Sequence, residues 1–197
     1  MNDTRTALFD CGKKLFERNG FKNTNVSDIT KSAKIGTGTF YNYYSSKEEL
    51  FMAIYMEENE TLKRTILKSI DFNQAPQSVI KELMRLNFEG MKSNPILKEW
   101  YNKDVSDKIE VYFREQKGME GLDFMYQDFI EIIDKWQTEG KMRSDINSEM
   151  IMAIFTAIIT IETHKEEIGL QYFPQILEYL TEFTMKGLLV GETHSNN

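Results

Sequence analysis

The 197-residue chain is expected to be all-α, an N-terminal three-helix helix-turn-helix domain joined by a long helix to a larger helical domain, about nine helices in all. Three observations lead there. Apolar residues recur at three- and four-residue spacing along most of the chain. The prolines, Pro76, Pro95 and Pro174, fall between those periodic stretches rather than inside them. Thr24 to Phe51, TNVSDITKSAKIGTGTFYNYYSSKEELF, reads as a helix, a tight turn and a second short helix with small polar and aromatic side chains left outward. That is the layout of a DNA-reading module.

The first helix is expected over Thr4 to Asn19, with Ala7, Leu8, Cys11, Leu15 and Phe16 inward and Gly20 just past its end. In the second, Val26, Ile29 and Ala33 share a face, with Asn25 as cap and Thr24 as the alternative. Ala33-Lys34-Ile35-Gly36 carries the apolar anchor and the glycine that a sharp reversal requires. Thr37 can cap the third helix, where Phe40 and Tyr44 face inward. Ser46 and Glu49 then form a capping box that opens a long helix to about Ser69, with Leu50, Phe51, Ile54, Tyr55, Leu62 and Ile66 on one stripe.

Beyond Pro76 a helix carries Val79, Ile80, Leu83, Met84 and Phe88 and ends at Ser93-Asn94-Pro95. Ile96 to Tyr101 and Val105 to Phe113 are shorter, and Leu122 to Thr138 is stopped by Gly140. The last two helices are expected over Asn147 to Glu167 and Tyr172 to Val190, before a polar tail. The division expected is 1–47 for the reader, 48–191 for the helical body and 192–197 for the tail.

Composition narrows the function. The single cysteine, Cys11, excludes an intramolecular disulfide and sits in a helical apolar rhythm, so it reads as core. No secretory leader opens the chain, so a cytoplasmic location is expected. The longest apolar run, Met150 to Ile161, has twelve residues, against the ~20 that span a bilayer. No membrane partner is expected. Net charge is −7, yet residues 1–50 hold eight Lys and Arg against six Asp and Glu, while the remainder holds sixteen against twenty-five. A weakly basic reader on an acidic body fits this asymmetry.

The segment 5–51 resembles the TetR family of bacterial transcriptional repressors, through Val26, Ile29, Ala33, Gly38, Thr39, Tyr41, Tyr43, Lys47, Glu48 and Leu50. Glu139 to Asp145, ahead of a helix rich in alanine and isoleucine, resembles a phrase of that family's regulatory domain. The resemblance implies that Thr37, Gly38, Thr39, Tyr41, Asn42 and Tyr43 face the major groove or its flanking phosphates. Lys47 and the Thr24/Asn25 cap would lie on phosphate. The chemistry agrees: Asn42 can pair with an adenine edge and Thr39 offers a methyl to thymine. The sequence departs from the family at Thr37, often a lysine or arginine there, and at Asn42, often a histidine.

Such readers usually work as two-fold dimers, because one short helix contacts too few bases. Ile151, Ile154, Phe155 and Ile158, with Phe173, Ile176, Leu177, Leu180, Phe183, Thr184 and Gly187, give more apolar surface than one core needs. The chain itself, as a homodimer, is therefore an expected partner alongside operator DNA. The family resemblance also implies a pocket for a small-molecule effector, and the candidates are Phe88, Trp100, Tyr101, Tyr112, Phe113, Phe124, Met125, Phe129 and Thr163. That set suits an apolar or amphipathic ligand. Two histidines and one cysteine do not make a transition-metal site, so neither metal nor cofactor is expected. No GxSxG, HExxH, Walker or GxGxxG phrase is present, so catalysis is not expected. The alternative is a helical protein-interaction module without DNA binding.

Overall fold

The computed structural model describes residues 2–102, 105–106, 108, 111, 123–173 and 175–190. Among them the regular structure is helical, apart from one antiparallel bridge between Met142 and Leu189. In order these are α1 (Asn2–Asn19), α2 (Val26–Ser32), α3 (Thr37–Phe40), α4 (Lys47–Ser69) and α5 (Pro76–Ser93), then a 3-10 turn over Leu97–Tyr101. After them come α6 (Asp123–Thr138), α7 (Ser148–Thr160), a 3-10 turn over Ile161–His164, α8 (Lys165–Ile168), a 3-10 turn over Leu170–Tyr172 and α9 (Gln175–Leu188).

The chain divides into two units, Met1–Ser69 with Leu83–Gly121 and Ile70–Glu82 with Leu122–Asn197. The expected boundary after residue 47 falls inside the first. One buried cluster explains why. Leu8, Phe16, Phe21, Ile29, Phe40, Tyr44, Leu50, Phe51, Ile54 and Tyr55 of α1 to α4 are continuous with Met91, Ile96, Leu97, Trp100 and Val105. A fifty-residue reader has too little interior to close by itself, and the later segment completes it. The aromatic centre is tightly ordered: Phe16 meets Phe51 edge-on at 5.2 Å and Phe21 meets Phe51 at 4.9 Å, in the geometry that aromatic quadrupoles favour. Gly12 lets α1 and α4 approach closely, since a Cβ there would lie 2.8 Å from the Leu50 side chain.

In the second unit Val79, Ile80, Ile133, Trp136, Met142, Ile151, Met185 and Leu188 are buried. The phrase Glu139 to Asp145 ties its helices together. Gly140 turns the chain at φ 70°, Met142 bridges to Leu189, and the Arg143 backbone N–H donates to Leu188 O at 2.8 Å. The Arg143 guanidinium also donates to Gly187 O at 3.2 Å, a cation on the carbonyl end of α9. The Gln137 side-chain amide closes the loop by donating to Arg143 O and Ile146 O, each at 2.7 Å.

Four local expectations differ from what forms. The helix expected from Asn147 is capped by Asn147, whose side chain accepts from Met150 N at 2.8 Å, but α7 stops at Thr160. Its end carries the branched run Ile158-Ile159-Thr160-Ile161, and Thr160 Oγ donates back to Thr156 O at 2.8 Å; both weaken a helix. The last helix starts at Gln175 rather than Tyr172, because Phe173 precedes a proline and is extended, with φ −96° and ψ 144°. The capping box at α4 is shifted: Ser46 Oγ accepts from Glu49 N at 3.1 Å, but the Glu49 carboxylate takes the Ser45 N–H at 2.6 Å.

The fourth difference is the reversal between α2 and α3. Its left-handed residue is Lys34, with φ 57°, whereas Gly36 has φ −72° and serves as N-cap of α3 in place of Thr37. A lysine in this region carries about 1–2 kcal/mol of backbone strain. Lys34→Gly is therefore expected to raise stability by up to about 1 kcal/mol, the relief being partly offset by the freer unfolded chain. Urea denaturation checks this, and a lower midpoint for Lys34→Gly would mean that the lysine is not strained.

Candidate nucleic-acid interface

The reader is assembled from behind. In α2 the Asn25 side chain accepts from Asp28 N at 2.9 Å while the Asp28 carboxylate accepts from Asn25 N at 3.3 Å, so the cap is reciprocal. Ile29 and Thr30 are buried, and the Thr30 hydroxyl lies 3.5 Å from that of Thr37 on α3. The four-residue α3 cannot persist alone, since helix nucleation is unfavourable. It is held by Phe40, fully buried, and by Tyr44 just beyond it, whose ring stands 5.9 Å from that of Phe40. The Arg5 guanidinium lies over the Tyr44 ring, 5.5 Å from its centroid.

With its back fixed, α3 presents a small set outward. Thr37, Gly38, Tyr41 and Asn42 are exposed, and Thr39 and Tyr43 are half-buried. Tyr41 is 55% exposed although it is one of the largest side chains in the segment. The space above Gly38 is open, with no atom within 4 Å of where a Cβ would be. Packing within the chain therefore does not require a glycine at this place, and glycine weakens the helix that holds it. The surface can thus offer hydroxyls, an amide, two aromatic edges and accessible backbone.

Three residues expected on phosphate stand differently. Asn25 is exposed, with its amide engaged in the cap. Thr24 is buried, and its hydroxyl donates to the backbone oxygens of Gly20 and Leu15 at 2.9 and 3.3 Å, so it is a structural residue of the α1–α2 turn. Lys47 points inward: Nζ donates to Phe21 O at 2.9 Å and to Thr24 O at 2.8 Å, and it lies 4.1 Å from the Phe21 ring centroid. The carbonyls and the ring supply the negative partner that a phosphate was expected to supply. Burial holds the Lys47 ammonium below the ordinary lysine range; Glu48 opposes that shift and Lys108 adds to it. Nearby, Ser45 holds the Glu49 carboxyl below the usual range by hydrogen bonding.

Four of the residues expected to line an effector pocket have described side chains, and they fall in both units. Trp100 is buried in the first unit's core, while Phe88 and Tyr101 are exposed with rings 6.3 Å apart. Phe129 packs edge-on against Phe72 at 6.4 Å in the second unit. Tyr112 and Phe113 lie outside the described residues, as do the side chains of Phe124, Met125 and Thr163. A different set, Tyr126, Ala153, Thr156, Ala157, Thr160, Ile161 and His164, lines an open cleft of about 590 Å³ in the second unit. Periodicity could not find it, because small residues on the α7 face give no apolar signal. His164 Nδ1 lies 3.2 Å from Glu167 Oε2, and no group of three potential ligands suited to a metal occurs among the described residues. Among those residues no helix is long and apolar enough to cross a membrane.

Of the residues expected at a subunit interface, Ile151 is buried, Ile154, Phe155, Ile158, Phe173, Ile176, Leu177, Leu180 and Thr184 are half-buried, and Phe183 and Gly187 are exposed.

Residues 8–54, from within α1 through the first turns of α4, match the model of bacterial regulatory proteins of the tetR family. The helix-turn-helix segment is that of the TetR family. It is similar to the HTH-type transcriptional regulator UidR of Escherichia coli K12, 24% identical over 147 residues, covering 75% of this chain and 73% of that one. The HTH-type transcriptional repressor KstR2 of Mycolicibacterium smegmatis is 22% identical over 190 residues, covering 90% and 91%. Among solved structures, SmeT, the repressor of the Stenotrophomonas maltophilia multidrug efflux pump SmeDEF, shares the fold with a TM-score of 0.64 at 15% identity, covering 96% of this chain and 94% of SmeT. A TetR regulatory protein of Rhodobacter sphaeroides gives 0.57 at 17% identity, covering 93% and 98%. The chain is thus a DNA-binding transcriptional regulator with a helix-turn-helix reader.

Two outcomes follow from this TetR-family reader. Gly38→Ala is expected to raise stability by about 0.5–1 kcal/mol and to weaken DNA binding, so denaturation and titration should move in opposite directions; undiminished binding would remove Gly38 from the contact surface. Lys47→Met is expected to lower stability by about 1–3 kcal/mol through two lost charge-assisted hydrogen bonds without changing the salt dependence of binding. A salt slope flatter by about one charge, with stability intact, would return Lys47 to phosphate.

Proposed function

We propose that the chain is a homodimeric repressor. Its two copies of α3 enter successive major grooves of a roughly palindromic operator, about one DNA turn apart, and a small apolar or amphipathic ligand releases it. The observation that carries the DNA contact is the four-residue α3, anchored from behind by Phe40 and Tyr44 and open to solvent at Thr37, Gly38, Tyr41 and Asn42. Thr39 and Tyr43 flank that surface, and the exposed Asn25 caps α2 at the end away from the α2–α3 turn. Asn42 supplies the base-reading amide and Thr39 the thymine-facing methyl.

The dimer is supported by apolar side chains left on the surface of α7 and α9. Met150 and Ile159 are 55% and 63% exposed, and Tyr179 and Phe183 are 50% and 62% exposed. The last two stack on each other at 6.0 Å and 14°, a solvent-exposed aromatic pair. Surfaces of this kind mark association sites, and a two-fold axis lets one such pair meet another. A ligand is supported by the cleft on α6 and α7, whose volume is in the range of small-molecule sites and whose walls are mostly apolar with hydroxyls and the His164 imidazole. The ligand would release DNA by preferring the form of the dimer whose reading helices are wrongly spaced.

Sedimentation of the parent and of Phe183→Glu tests the assembly. The parent is expected as a dimer at micromolar concentration and the variant as a monomer with unchanged helicity, since an exposed position tolerates the charge. A monomeric parent, or a variant that stays dimeric, contradicts this face. With DNA, Asn42→Ala is expected to lose about 1–3 kcal/mol at one base position and to relax preference there. Preference equal to the parent's would remove Asn42 from base reading.

A further inference from the structure

The turn between α1 and α2 is held by a residue far along the chain. The Phe21 backbone N–H donates to Glu99 Oε1 at 3.3 Å, a buried contact across 78 positions. Glu99, on the 3-10 turn, is only 7% exposed, and its other oxygen accepts from the Asn102 side-chain amide at 2.6 Å. Lys108, further on, stands 5.2 Å from the Phe21 ring centroid and pairs with Glu48 at 2.9 Å, in the first turn of α4. Phe21 is therefore fixed at its N–H by Glu99, at its C=O by Lys47 and at its ring by two cations.

A buried carboxylate is costly unless its hydrogen bonds are met, and an apolar residue at 99 would fill the same place while stranding the Phe21 N–H. What the carboxylate adds is direction. Lys47 links Phe21 O to Thr24 O, and Thr24 immediately precedes the Asn25 cap of α2. From α2 the link continues to α3 through the Thr30 and Thr37 hydroxyls and the packing of the two helices.

We propose that Glu99 is a positioning residue for DNA recognition: from outside the helix-turn-helix it fixes the α1–α2 turn, and so the placement of α2 and the outward face of α3. The proposal rests on α3 being the reading element and goes beyond it by giving the segment after α5 a hydrogen-bonded hold on the reader. A displacement of Leu97–Tyr101 that breaks this bond would lower specific affinity without touching any DNA-contacting residue.

The test uses the full chain and two labelled duplexes, one enriched from a random-sequence pool by the parent protein and one of scrambled sequence with the same composition. Glu99→Leu and Glu99→Met remove the acceptor, the flexible methionine adapting to the space if leucine does not fold. Glu99→Gln keeps an oxygen for the Phe21 N–H, with the Asn102 amide turned over to accept. Ile133→Val, in the buried set of the other unit, is the control for general destabilisation. All are compared where circular dichroism finds them folded. The apolar variants are expected to lose about tenfold or more for the enriched duplex, the order of one stranded buried hydrogen bond. Binding to the scrambled duplex should stay equal or tighten slightly as a negative charge is removed. Glu99→Gln and Ile133→Val should keep the parent's ratio between duplexes. Apolar variants that keep that ratio, a control that loses it equally, or a Glu99→Gln that falls with the apolar variants would each overturn the proposal. A parent that enriches no duplex would overturn the reading role of α3 and this proposal with it, and is told apart because the failure precedes any substitution.

Discussion

A helix of four residues has almost no stability of its own, so the recognition surface depends on the burial of two aromatic side chains. Phe40 and Tyr44 turn one edge of a frail segment into part of a core, and only then do Thr37, Gly38, Tyr41 and Asn42 acquire fixed directions. The core that receives them is not local. It runs from Leu8 through Phe16, Phe21 and Phe51 to Ile96, Leu97 and Val105, so the geometry of α3 is set in part by residues more than sixty positions away.

Polar groups complete what packing begins. Besides the backbone bonds from Gly20 N to Phe16 O and from Thr24 N to Phe21 O, groups of the α1–α2 turn are met by side chains: Thr24 Oγ donates to Gly20 O and Leu15 O, Lys47 Nζ to Phe21 O and Thr24 O, and Phe21 N to Glu99. Buried backbone groups must be paired somewhere, and here much of the pairing falls to Thr24 within the turn, Lys47 on α4 and Glu99 on the 3-10 turn. These bonds are directional where apolar contact is not, which is why this turn, rather than the aromatic cluster, carries the information about where α2 begins.

Much of this was legible in the sequence because it is local. Asn25 with Asp28, Asn147 at the start of α7, Gly20 past α1 and the inward pair Phe40 and Tyr44 are signals that span five residues or fewer, and each holds. What could not be read depends on partners distant in sequence. Lys47 looked like a cation awaiting phosphate because its carbonyl partners lie 26 and 23 residues earlier. Thr24 looked like an exposed cap because nothing local says that Leu15 O will accept its hydroxyl. Gly36 drew attention from Lys34, which adopts the left-handed conformation despite its side chain. Of the aromatic residues expected at a pocket, Trp100 packs in one unit and Phe129 in the other, while a cleft of the second unit is lined largely by alanine and threonine, with Tyr126, Ile161 and His164.

If DNA is read on the outward face of α3, the backbone beneath that face should be covered in the complex. Amide hydrogen exchange of the full chain, free and saturated with a duplex it has enriched, addresses this most directly, since a bound surface slows opening of the backbone beneath it. Added protection is expected over residues 25–47, greatest at Gly38 to Asn42. Unchanged exchange across 25–47, with new protection confined to another part of the chain, would contradict it.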